Sequence, residues 1–304
     1  MAKESSLNLD NLRDSLNNLL VDESLPVQAS TNWATRTESL STGLGGVRLA
    51  VLEYDRLTRL SDWRFDAIDI TNVFSAEMPF LDSPTLKDSK LYDSPKTEAL
   101  GDVFLGYASK VWTHLVLHEP IVELPFLDKP NDIVRPGLGH GELARDLVRC
   151  AIEEKWLSYL PSLGDVNGVG WCNGKSGLLS VLALCYEKSG NEDLLNHIVE
   201  LHDEIFVLAA EKLETTEFGL CHGIAGVFAC LAGSSRVLRD TVRSDQIKER
   251  FLEFQESINL TLLPPNLNID NSWLTGSAGF LWASCSIFQK PKLNPLFPSD
   301  QEPI

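Results

Sequence analysis

Cys172, Cys221 and His222 are the residues of this chain whose types and placement best suit chemistry. Two thiolates and an imidazole are a preferred donor set for Zn2+. Three protein ligands leave the fourth tetrahedral position open, as in catalytic rather than structural zinc sites. The residues are distant in sequence, yet each opens a similar phrase: Cys172-Asn173-Gly174-Lys175-Ser176-Gly177 and Cys221-His222-Gly223-Ile224-Ala225-Gly226. Matching places in successive repeats occupy matching places in space, so the repeat supplies the convergence. A helix start also carries partial positive charge, which favours a thiolate.

The remaining candidates read more plainly. Cys150, Cys185, Cys230 and Cys285 lie in amphipathic runs without a glycine partner and are expected in the core. His114 and His118 have i, i+4 spacing, but Leu115 stands where an H-E-x-x-H site needs glutamate, so they read as helix-surface residues. His197 and His202 are five apart and do not share a helix face. Lys175 lies inside a G-x-x-G phrase rather than at the Walker position, so the glycines are not phosphate loops. Glu214 to Glu217 reads as a solvated turn.

Positioning three donors on two phrases needs a regular array of elements. Related phrases recur at Thr42 to Gly46, Gly106 to Ser109, Gly139 to Gly141 and Thr275 to Gly279, and each opens an apolar run. Leu178, Leu179, Val181, Leu182 and Leu184 cover most of one helix surface, as expected for a helix packed on nearly all sides. Glycine inside a helix costs about 1 kcal/mol against alanine, so its recurrence points to a repeated geometric need. Polar amphipathic helices alternate with these: Asn191 to Glu214, with Asn191 as N-cap and acids in the first turn, and Ser244 to Leu260. Apolar inner helices alternating with polar outer ones predict an all-α fold, an (α/α) toroid; an open solenoid would share the alternation.

Residues 1–38 read as a helix (Leu9 to Val21) with a linker, and 39–304 as the toroid domain. Ser83 to Thr97 reads as a loop, and the proline-rich stretch from Pro291 to Ile304 as extended over the surface. With 304 residues and 43% hydrophobic composition, the chain can bury a large core. A net charge of -17 disfavours nucleic acid or an anionic membrane as partner and favours a neutral or cationic ligand. There is no signal-peptide pattern and no run of about 18 apolar residues, so no membrane insertion and a cytoplasmic location are expected. Six cysteines are too few for a disulfide scaffold of this length.

The phrases Trp171-Cys172-Asn173-Gly174, Leu220-Cys221-His222-Gly223 and Leu274-Thr275-Gly276-Ser277-Ala278-Gly279 resemble the cyclases of lanthipeptide biosynthesis. The likeness is greater to the cyclase portion of the bifunctional synthetases and runs from about Thr42 onward. The resemblance implies a toroid whose central zinc, on Cys172, Cys221 and His222, activates a cysteine thiol of a dehydrated precursor peptide for addition to dehydroalanine or dehydrobutyrine. It also implies catalytic roles for Asp102, in Asp102-Val103-Phe104-Leu105-Gly106, and for His140, in Gly139-His140-Gly141. A separate dehydratase is the implied partner.

Three departures qualify the likeness. Gly168 stands where relatives carry arginine, Cys172 follows His140 by only 32 residues, and six glycine phrases are visible where a full ring has seven. A ring one hairpin short is therefore expected. Two further readings stay open: a zinc enzyme joining glutathione or protein thiols to an acceptor, and a degenerate scaffold that binds peptide or a partner synthetase.

Overall fold

The structure, a computed structural model, describes residues 2–21, 44–58, 168–171, 174–211, 219–257, 271–292, 294–297 and 300. Seven helices lie within them: α1 (Ala2–Leu19), α2 (Leu44–Thr58), α3 (Lys175–Ser189), α4 (Asp193–Glu211), α5 (Ile224–Val237), α6 (Thr241–Ser257) and α7 (Ser277–Phe288). Among the described residues the only β-pairing is an isolated parallel bridge between Gly168 and Gly174. No helix among them is long and apolar enough to cross a membrane.

Apolar runs behind the glycine phrases form helices surrounded by protein. Every residue of α5 from Ile224 to Ser235 is buried, as is every residue of α7 from Ser277 to Ile287. The intervening helices bury one stripe each. On α4 the stripe is Leu194, Ile198, His202, Ile205 and Ala209; on α6 it is Ile247, Phe251, Phe254 and Gln255. Both follow the three-and-four spacing of a helix with one face on the core.

The inner helices stand side by side. In turn, α2 packs on α7, α7 on α5 and α5 on α3, while α4 lies against α3 and α5, and α6 against α5 and α7. The contact between α2 and α7, first and last of the inner helices described, distinguishes a ring from an open solenoid, whose ends would stand apart. The chain is thus an all-α toroid. The expected missing hairpin falls on residues 59–167, outside the described ones.

Aromatic rings fix the outer layer to the inner one. Phe251 of α6 packs at 5.6 Å from Phe228 of α5 and 6.0 Å from Phe280 of α7, centroid to centroid. Such pairs add about 0.5–1.5 kcal/mol each beyond the area they bury.

Two helix starts and one surface assignment differ from the sequence reading. Helix α1 begins at Ala2 rather than near Leu9, because its polar first turns carry no apolar periodicity to reveal them. Helix α6 begins at Thr241 rather than Ser244: the Asp240 carboxylate accepts the Arg243 N–H at 3.0 Å and caps it there. The third correction concerns the stretch from Pro291, which is not laid over the surface. Pro291, Asn294, Leu296, Phe297 and Asp300 are buried. Phe297 lies where a Cβ on Gly233 of α5 would come within 2.8 Å of its ring. Arg236 holds Asp300 through bonds of 2.7–2.9 Å.

Candidate functional site at the inner-helix starts

Helices α3, α5 and α7 each start after an extended glycine, Gly174, Gly223 and Gly276, none capped by a side chain. The G-x-x-G need is a close approach of backbones. A Cβ on Gly226 would lie 1.8 Å from the Leu220 carbonyl oxygen, and one on Gly279 would lie 1.9 Å from that of Trp273. Helices α5 and α7 therefore press their first turns onto the turns that precede them.

Those preceding turns are hydrogen-bonded to one another. The Trp171 N–H donates to the Cys221 carbonyl at 2.9 Å, and the Leu220 and Cys221 N–H groups both donate to the Leu274 carbonyl at 2.9 Å. The starts of α3, α5 and α7 are thereby gathered at one end of the ring.

At this junction Cys221 is buried and His222 is exposed, with Sγ and Nε2 3.9 Å apart. Zinc bonds of about 2.3 Å to sulfur and about 2.0 Å to nitrogen, at a tetrahedral angle, would put the two donors about 3.5 Å apart. The pair fits one metal ion after a shift of a few tenths of an ångström, which an exposed imidazole can make. Among the described residues no three His, Cys, Asp or Glu side chains are grouped to hold a metal. A full donor set thus needs a side chain outside them.

Cys172 lies outside the described residues, as do His140 and Asp102. Its neighbour Trp171 is the residue bonded to Cys221. Gly168 offers backbone only: its carbonyl accepts the Lys175 N–H at 2.8 Å. Lys175 itself ion-pairs with Glu204 of α4, as befits a lysine outside any phosphate loop.

Other residues separate as their spacing predicts. Cys185, Cys230 and Cys285 are buried, and burial pushes the Cys230 and Cys285 thiols well up, the latter with Glu53 adding to the effect. His197 is half exposed beside Glu200, whereas His202 is buried against Ser234. His114, His118 and Cys150 lie outside the described residues, as does the turn at Glu214 to Glu217. The sequence reading missed the Trp171 indole, which donates to the Leu296 carbonyl at 2.9 Å in a buried contact. The available signal was Leu296-Phe297, an apolar pair inside a proline-rich stretch.

No curated protein and no solved structure gives a significant match to the chain. A family match, to the lanthionine synthetase C-like proteins, covers residues 142–299, which include Cys172, Cys221 and His222 and begin two positions after His140. That span is over half of the chain and takes in the junction of α3, α5 and α7, so the chain belongs to the lanthionine synthetase C-like family.

Proposed function

We propose that the chain is a zinc-dependent cyclase that adds a cysteine thiol of a dehydrated peptide to a dehydroalanine or dehydrobutyrine of the same peptide, closing a (methyl)lanthionine thioether. The observation that carries this reading is the Cys221 and His222 donor pair, 3.9 Å apart, on a turn bonded to the residue before Cys172. Cys172, Cys221 and His222 would hold the metal. With two thiolates and a neutral imidazole, bound Zn2+ would have no net charge, which favours an ionised yet nucleophilic substrate thiol near neutral pH.

The chain's residues then have distinct tasks. Cys221 is buried while His222 faces solvent, so a peptide has an approach from the histidine side. In the addition the sulfur bonds to the β-carbon, the π electrons move toward the α-carbon and its carbonyl, and the α-carbon takes up a proton. Histidine is the side chain suited to proton transfer near neutral pH, so His140 is the residue proposed to supply that proton, and Asp102 to orient it.

The test has two parts. Purified protein should hold about one zinc per chain, lost in Cys172→Ala. Incubation with a dehydrated cysteine-containing peptide should remove alkylatable thiol without changing peptide mass. Zinc-free protein would sink the proposal. Gly168 favours a second reading, a scaffold that binds peptide or a synthetase, because this position contributes no side chain. Zinc uptake without any adduct to peptide or glutathione would select it.

A further inference from the structure

Trp171 is tied at both ends. Its backbone N–H donates to Cys221, and its indole N–H donates to Leu296, 125 residues away. A buried indole N–H usually has a partner. Yet the indoles of Trp273 and Trp282, equally buried, have none among the described residues, so the bond at Trp171 sets it apart from these two. The bond at Trp171 is made by a segment that is itself firmly held.

That segment, Pro291 to Asp300, is anchored on two inner helices, α2 and α5. The Lys292 N–H donates to Glu53 of α2 at 2.8 Å, and Phe297 seats on Gly233 of α5. Asp300 accepts from Arg236 of α5, which also donates to the Ser286 carbonyl of α7 at 2.8 Å. Inside the segment, Asn294 accepts the Phe297 N–H at 2.9 Å and donates to the Asp300 carbonyl at 3.1 Å. The Leu296 carbonyl is therefore a fixed acceptor, aimed at the residue next to Cys172.

We propose that the Pro291–Asp300 segment is a positioning element for the metal centre: through the Leu296 carbonyl it fixes Trp171, which donates to Cys221 and precedes Cys172 in the chain. This rests on the reading that Cys172, Cys221 and His222 bind zinc. Without the anchored carbonyl, Trp171 keeps its backbone bond to Cys221 but loses the side-chain restraint on its orientation. Donor atoms ordered before the metal arrives bind it more tightly, as second-shell contacts do elsewhere, where their loss costs about 10–100-fold in affinity.

The experiment compares wild type with Trp171→Phe, which keeps an aromatic ring and removes the donor. Phe297→Leu is the second variant; it loosens the segment without touching Trp171. Zinc affinity is measured by competition with a chelator, the cobalt(II) absorption spectrum reports ligand geometry, and far-ultraviolet circular dichroism reports helix content. Expected for Trp171→Phe is about tenfold weaker zinc binding with an altered cobalt spectrum and unchanged helix content. A smaller loss in the same direction is expected for Phe297→Leu. Wild-type affinity and spectrum in both variants would overturn the positioning role and leave the zinc reading intact. Absence of zinc and cobalt binding in wild type would overturn both.

Discussion

Gly226 is the residue at which sequence pattern and geometry meet most directly. A methyl group there would sit 1.8 Å from the Leu220 carbonyl oxygen, and that oxygen is backbone one residue before Cys221. Gly226→Ala should lower stability by about 3 kcal/mol, by the mechanism of overpacking, read from urea denaturation midpoints. A loss under about 1 kcal/mol would mean the turn can yield. The opposite sign is expected at Arg239, whose φ of 54° is left-handed. That conformation costs a residue with a Cβ about 1–2 kcal/mol, and a new glycine costs about 0.4–1 kcal/mol through the unfolded chain. Arg239→Gly should therefore gain about 0.5 kcal/mol, measured in the same way. The need at Gly226 was legible because G-x-x-G recurs against helix propensity, and the donor types at Cys221 and His222 because both phrases share a register. Arg239 gave no such sign, since its backbone is set by the helix ending at Val237 and the Asp240 cap that follows.

At the scale of the element, α4 is the helix whose packing titrates. His202 takes the middle of its buried stripe, and Nδ1 lies 2.6 Å from Ser234 Oγ of α5. The Ser234 hydroxyl donates to the Leu231 carbonyl at 2.9 Å, so it accepts from His202, whose proton is then on Nδ1. Burial foremost, and then Arg243, lowers the His202 pKa to about 4, against the weaker opposing pull of Asp203 and Asp240. The unfolded chain, with histidine near 6.5, binds the extra proton first as pH falls. Stability is then lost from about pH 6.5 down to about pH 4 and is level below that on account of this group. Between pH 7 and pH 5 the loss should be on the order of 2 kcal/mol, and His202→Gln should remove that part of the slope in urea titrations. A wild-type slope identical to the variant's would refute the assignment. The three-and-four spacing of Leu194, Ile198, His202 and Ile205 keeps this histidine on the buried face. The start of α6 was less legible, because Asp240 caps through a side-chain oxygen that hydrophobic periodicity does not register.

On the scale of the whole molecule, closure depends on contacts between parts of the chain far apart in sequence. Alternating apolar and amphipathic segments announced two layers of helices, but α2 against α7 and the burial of Pro291 to Asp300 were not readable. Periodicity is silent on non-helical chain, and prolines suggest surface wherever no partner is visible. Glu53 of α2 shows what the closure requires. It is buried, its carboxylate accepts the Lys292 N–H at 2.8 Å and the Arg56 Nε–H at 2.8 Å, and Arg56 in turn donates to the Lys290 carbonyl at 2.6 Å. Removing the buried Glu53 carboxylate takes one acceptor from the Arg56 guanidinium and one from the Lys292 N–H, which costs more than the same bonds add over an apolar replacement. Glu53→Ala should cost about 3 kcal/mol in urea denaturation. The exposed pair of Arg250 with Glu253 on α6 is the control: Glu253→Ala should change stability by less than about 0.5 kcal/mol, because water screens an ion pair there. If the two substitutions cost the same, the joint between α2 and the 290–300 segment does not hold the ring closed. If Glu53→Ala alone is severe, the ring's two distant ends are joined through one carboxylate.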